Sequence, residues 1–167
     1  MMKASTNKQF EILGSWPHDV KAFTEGLEFH NGFLYESSGL CESSGVRRVE
    51  LTTGTVLQEM LVEKVCDGND CLGKACFAEG LTIFNDKIFQ LTWRSQKGFI
   101  YDPSGLNKLG EFVYEGQGWG LTHDGEFMIM SNGSEKIKFL DPLTCEVAKT
   151  ICVTNHGEPL TELNELE

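Results

Sequence analysis

A short phrase occurs twice in this chain, at the same place relative to the turns that follow it. Phe23-Thr24-Glu25-Gly26-Leu27 and Phe77-Ala78-Glu79-Gly80-Leu81 differ at a single position. Each precedes a turn and a second apolar run: Asn31-Gly32 before Phe33-Leu34-Tyr35, and Asn85-Asp86 before Lys87-Ile88-Phe89. Two weaker copies follow, Gly118-Trp119-Gly120-Leu121 and Leu163-Asn164-Glu165-Leu166. Aligned on Leu27, Leu81, Leu121 and Leu166, the copies stand 54, 40 and 45 residues apart. Self-similarity at such a period marks a repeat architecture, in which each unit buries its apolar face against the next. Two positions before the leucine the chain has Glu25, Glu79, Trp119 and Asn164. A position used only for packing would keep one apolar type, so this set reads as a site in which equivalent places meet at a centre. Polar residues at solvated strand starts are the other reading of the same pattern.

Between the copies lie short runs rich in β-branched and aromatic residues, bounded by Gly, Asn, Asp and Pro. They predict strands at 32–37, 46–51 and 56–62, then 80–84, 87–93, 98–102 and 108–114, then 119–122, 126–131, 136–141 and 146–153. No stretch carries an apolar stripe of period 3.6, so no long helix is expected. Four antiparallel strands per ~40-residue unit predict blades of a β-propeller. A β-sandwich has the same strand density but no reason to repeat a phrase at the first strand of each unit. The count gives three blades and the opening strand of a fourth. Residues 10–15 form an extra strand without room in the first blade, expected to complete the last blade from outside. Residues 1–9 are expected to be a flexible N-terminus, and residues 10–167 an incomplete propeller domain whose last blades are missing, since closure takes at least about four.

Net charge is −11 and the pI about 4.8. With no dense cationic face to displace counterions, nucleic acid is not an expected partner. An acidic surface suits a cationic substrate such as a peptide amine. No apolar run approaches the ~18 residues of a membrane span. The first nine residues lack the apolar core of a secretory signal, which places the chain as given in the cytosol. Cys66, Cys71 and Cys76 share one loop, Cys145 and Cys152 flank a strand, and Cys41 stands alone. The C-x4-C-x4-C spacing without a nearby histidine is not a usual zinc pattern, so no metal is expected. Reduced thiols are the default, and one loop disulfide is the alternative in an oxidising compartment.

Several stretches together carry a family resemblance. They are Pro17-His18-Asp19, Ala22 to Leu27, Glu36-Ser37-Ser38-Gly39-Leu40, Val46-Arg47-Arg48-Val49, Phe77 to Leu81, Gln90-Leu91-Thr92-Trp93, Gly118-Trp119-Gly120-Leu121 and Leu163-Asn164-Glu165-Leu166-Glu167. In this order the chain resembles the plant-type glutaminyl cyclases, or glutamine cyclotransferases, from residue 10 to the end. The resemblance implies a five-bladed propeller with a central pocket. It implies conversion of N-terminal glutamine of peptides or proteins to pyroglutamate with release of ammonia, without a metal or other cofactor. It places Glu79 at the acidic catalytic position. Phe23 and Phe77 become aromatic walls, Trp93 and Trp119 pocket tryptophans, and Asn164 an amide that contacts substrate. Glu25 stands where glutamine is common. Members of the family are often secreted, and a further tryptophan and a lysine would follow in later blades.

Cyclisation is intramolecular, so a protein mainly selects the near-attack conformer. The amine must shed a proton and the leaving nitrogen gain one, a shuttle that a single carboxylate can perform. Glu79 is the candidate for it, inside an aromatic box of Phe23, Phe77, Trp93 and Trp119, with Asn164 as donor to the developing oxyanion. Glu25 shares its blade position and is expected to point with Glu79 toward the central axis; within ~6 Å one of the two carboxyls would keep its proton, the alternative being a hydrated, ionised Glu25 at the mouth. His18 and His123 are expected to be structural or exposed. The competing reading is a catalytically inactive propeller that binds peptides or other partners.

Overall fold

Turn chemistry sets where these strands end. Asn31 and Gly32 both take positive φ, at 47° and 87°, and so do Asn85 and Asp86, at 49° and 55°. Two successive left-handed residues make the tight turn whose twist matches a hairpin, and Asn, Asp and Gly tolerate that conformation best. The structure, a computed structural model, describes residues 11–41, 43–62 and 76–167. Its described residues form strands and turns without a helix, hence no helix long and apolar enough to cross a membrane.

Three four-stranded antiparallel sheets follow one another along the chain, each in simple sequential order. The first holds β1 (Thr24–His30), β2 (Phe33–Ser38), β3 (Gly45–Glu50) and β4 (Thr55–Leu61). The second holds β5 (Ala78–Phe84), β6 (Lys87–Thr92), β7 (Lys97–Tyr101) and β8 (Lys108–Val113). The third holds β9 (Leu121–His123), β10 (Met128–Met130), β11 (Lys136–Leu140) and β12 (Val147–Cys152). These are propeller blades, and β1, β5 and β9 are their innermost strands. A carboxylate recurs where the third strand of each blade ends. Glu50 accepts the backbone N–H of Thr53, Asp102 those of Gly105 and Asn107, and Asp141 those of Leu143 and Thr144.

Apolar residues alternate along the middle blade because both of its faces are covered. One face, with Leu81, Ile83, Ile88, Phe99 and Tyr101, packs on Tyr35 and Val46 of the first blade. The other, with Phe84, Phe89, Leu91 and Phe112, packs on Leu121, Met128 and Leu140 of the third. Full burial of such a side chain stabilises by roughly 1.5–3 kcal/mol, so the two seams carry the core. Strand β5 is buried along its whole length. Polar ties cross the first seam: Glu28 accepts hydrogen bonds from the Thr82 hydroxyl and the Ile83 N–H, at 2.8 and 2.9 Å.

Three expectations change. Residues 11–15 are not a strand, and residue 10 lies outside the described residues. A strand exists only by pairing, and the residues just after this segment are fastened to the first blade by another route. Arg47 of β3 binds Asp19 at 3.1 Å and Glu59 of β4 at 2.6 Å, while His18 Nε2 lies 3.3 Å from the buried Glu36 carboxylate. The fourth copy of the phrase is not a strand either. Residues 160–167 run alongside the third blade, where Leu163 C=O accepts the Gly133 N–H and Gly133 C=O accepts that of Glu162. Before that segment stands a small hairpin absent from the sequence reading, β13 (Thr154–Asn155) with β14 (Glu158–Pro159), turned by His156 and Gly157 at positive φ.

Candidate functional site

The phrase works through a β-bulge followed by a close approach. In the β1–β2 ladder the register slips between Thr24 and Gly26, and in β5–β6 it slips between Ala78 and Leu81. Glu25 and Glu79 both fall in the slip, and a bulge re-aims the side chain that it carries. The glycine after each glutamate admits the next blade. A Cβ on Gly26 would come within 2.7 Å of the Leu81 nitrogen, and one on Gly80 within 2.5 Å of the Trp119 oxygen. The Gly80 N–H donates to that same Trp119 carbonyl at 2.7 Å. Gly120 meets the Asn164 oxygen and the Glu165 Cα in the same manner.

Around these bulges lies a cavity of about 260 Å³ lined by Glu25, Phe77, Glu79, Trp93, Trp119 and Asn164. Glu79 is buried at 7% exposure, although it is an acid on an inner strand. Phe23 is not in the lining. It is 49% exposed and meets Phe77 edge-on, with ring centroids 6.1 Å apart. Phe77 in turn meets Trp93 edge-on at 6.0 Å. Phe23 therefore props a wall at the rim. Gly39 holds the place in the first blade that Trp93 holds in the second, since Thr24 pairs with Ser38 as Ala78 pairs with Thr92. A Cβ there would come within 2.5 Å of the Phe77 ring, so the small residue makes room for that wall. Gly133, at φ 76°, serves the Trp119 indole in the same way, at 2.8 Å.

The two indoles share one polar partner. Gln117 Oε1 accepts the Trp93 Nε1–H at 2.8 Å and the Trp119 Nε1–H at 2.9 Å. Trp93 also carries the Arg94 guanidinium over its ring face, 3.7 Å from the centroid. With both N–H groups engaged, these rings face the cavity as apolar walls. Its polar lining atoms come from Glu25, Glu79 and Asn164.

Burial holds the Glu25 carboxyl above the usual range. Desolvation penalises the charged form, which is the physical cause of that rise. Thr24 to Leu27, Asn164 and Glu165 line an adjoining cavity of about 210 Å³. The Glu165 carboxyl is pushed up to about 8, first by burial, then by Glu167, and also by Glu25. Glu165 as a residue is exposed. It takes the place that Gly26, Gly80 and Gly120 hold in the earlier copies.

Thiol chemistry differs from the reduced default. Cys41 and Cys76 are each engaged in a disulfide, and each flanks the wall, Cys41 two residues after Gly39 and Cys76 next to Phe77. Cys66 and Cys71 lie outside the described residues, while Cys145 is a buried thiol and Cys152 an exposed one. Among the described residues no group of His, Cys, Asp and Glu is arranged to hold a metal ion. His123 packs edge-on against Phe84 at 5.1 Å and takes no part in the cavity. Sequence reasoning missed Gln117, Gly39, Gly133 and Glu165. Only Glu165 left a local signal there, as the one break in the glycine column.

The whole chain, residues 1–167, matches the family model described as glutamine cyclotransferase. It is 37% identical over 161 residues to the glutaminyl-peptide cyclotransferase of Arabidopsis thaliana, covering 95% of this chain and 47% of that protein. The crystal structure of Myxococcus xanthus glutaminyl cyclase superposes with a TM-score of 0.78 at 28% identity, over 93% of this chain and 61% of that one. The WD40 domain of Neurospora crassa Pan2 shares the fold alone, with a TM-score of 0.61 at 13% identity over 77% of this chain and 36% of that domain. The chain thus spans about half the length of the curated relative that it matches.

Proposed function

The chain belongs to the glutamine cyclotransferase family, and from that premise we propose that its cavity closes N-terminal glutamine of a peptide or protein into pyroglutamate. The observation that carries this reading is the lining itself. One deeply buried carboxylate stands among Phe77, Trp93 and Trp119, with a second acid and an amide within the same 260 Å³. That volume suits a single side chain with its terminal amine. We read residues 10–167 as part of one propeller domain built around it.

The substrate's neutral α-amine attacks the γ-carboxamide carbon, and the new C–N bond closes a five-membered ring. Glu79 takes the proton that the amine sheds and passes it to the departing nitrogen, which leaves as ammonia with the C–N bond electrons. The Asn164 amide and the protonated Glu25 carboxyl donate to the oxygen on which charge builds up. The aromatic walls exclude water and hold the flat amide, which favours the near-attack conformer. No metal enters this scheme. Incubation of a Gln-initiated peptide with the protein, followed by mass spectrometry, tests it. Loss of ammonia from that peptide, persisting in chelator and absent for an Asn-initiated control, is the expected result. Binding without turnover would favour a peptide-binding module, and turnover that only a divalent ion restores would overturn the metal-free route.

A further inference from the structure

Gln117 sits in the connector between β8 and β9, within Glu115-Gly116-Gln117-Gly118, where composition alone says loop. The connector is nevertheless tightly held. The Gly118 N–H donates to the Trp93 carbonyl at 2.9 Å, and the Tyr114 hydroxyl binds the Thr92 backbone. A Cβ on Gly118 would come within 2.6 Å of that hydroxyl, so the chain passes too close for a side chain there. This delivers the Gln117 carboxamide between a tryptophan that follows the second strand of one blade and a tryptophan that precedes the first strand of the next. Indole nitrogens only donate, so the oxygen must face both rings and each of its two lone pairs is used.

Neighbours of these rings include a ring edge, a guanidinium face and a glycine. They limit where each ring lies but do not fix its N–H direction. We propose that Gln117 is a positioning residue for the cyclisation site. Its single oxygen locks the two tryptophans, from different blades, into one orientation, and by occupying both N–H groups it makes the rings act on substrate through their faces alone. Glutamine's flat carboxamide is a substrate group that such faces accept by stacking. The polar discrimination then falls to Glu25, Glu79 and Asn164.

The activity arm of the test rests on the cyclase reading, and the spectral arm does not. The chain has three tryptophans, and the third, Trp16, lies at the surface at 47% exposure. A ¹⁵N-tryptophan spectrum therefore holds three indole N–H signals, assigned by single Trp→Phe variants, with Trp16 as internal control. In Gln117→Leu the Trp93 and Trp119 signals are expected to move upfield together and exchange faster with water, while Trp16 stays. In Gln117→Glu, a stronger charged acceptor, both are expected to move downfield. In the peptide assay Gln117→Leu lowers kcat/KM about 10-fold, mostly through KM, as suits two donors left without their acceptor. Gln117→Glu recovers most of that loss relative to Leu. If only one indole responds, or neither, the shared clasp is wrong. Shifted indoles with parental kcat/KM overturn the positioning role. Should Gln117→Leu fail to fold, the Glu variant decides by its two downfield shifts. Expected spectra from a protein without any turnover would sink the cyclase reading and leave the clasp standing.

Discussion

Glu50, Asp102 and Asp141 close the third strand of successive blades, and Glu25 and Glu79 sit in the first strand of two of them. The repeat thus places acids at two ends, and the two ends treat them oppositely. At the turns, hydrogen bonds from Thr53 and Thr52 pull Glu50 down to about 2, while those from Ser104 and the Gly105 N–H hold Asp102 below the ordinary range. The Thr144 and Leu143 N–H groups do the same for Asp141. At the cavity, burial pushes Glu25 and Glu165 up. Donors stabilise the charged form and desolvation penalises it, so one set stays ionised under ordinary conditions and the other is poised to exchange protons. The comparison separates acids that shape the backbone from acids that can do chemistry, a distinction that residue identity alone does not make.

The largest break in that comparison should come from Glu79→Gln. The amide keeps the shape and loses the shuttle, and turnover is expected to fall ~10²–10⁴-fold, the usual worth of a positioned acid–base group. Near-parental turnover by the ammonia-release assay would remove Glu79 from the mechanism. Glu25→Gln should act more gently. A permanent amide donor replaces a carboxyl that donates only while protonated, so the variant should keep its rate near neutral pH and show a flatter alkaline fall. A pH–rate profile beside the parent shows this, and a large uniform loss would count against the donor role.

At the other end, Asp102→Ala removes the acceptor of two backbone N–H groups and should cost a few °C in Tm. Because the turn is far from the chemistry, kcat should not move; thermal melts and kinetics on one preparation check both. Asp102 also adds stability that is present above its unfolded value near 3.8 and lost as pH falls through its lower folded value. The smallest effect concerns Glu165, where the sign is reversed. Its folded value of about 8 exceeds the ordinary 4.5, so its stabilising share is complete below pH 4.5 and drains away as pH rises towards 8. Glu165→Gln should flatten that alkaline decline in urea titrations and leave the curve at pH 4 as it was. An unchanged slope would show that the Glu165 carboxyl is better solvated than its surroundings indicate.

Much of the fold was legible because its signals are local. Asn31-Gly32 and Asn85-Asp86 state their turn by themselves, and the short apolar run of Lys87 to Thr92, bounded by turn residues, states a strand. The bulged glutamates were legible through repetition, since two copies of one irregularity cannot both be accidents of composition. The Gln117 clasp was not, because it joins residues that only the packing of two blades brings together. Residues 11–15 are the opposite case. Their apolar content fits a strand, but a strand needs a partner, and the ion pairs of Arg47 fasten the neighbouring Asp19 to the first blade instead.

The glycines of the phrase carry a mechanical consequence. Where Gly26 meets Leu81, and Gly80 meets Trp119 and Leu121, backbone lies on backbone with no side chain between. A layer of side chains can re-pack and so act as a bearing, whereas two main chains in contact offer no alternative rotamers to slide through. Neighbouring blades are thereby welded at the inner rim and cannot rock against each other. The cavity walls are drawn from three blades joined in this way. A guest would have to adapt its own torsions to such a stiff mould.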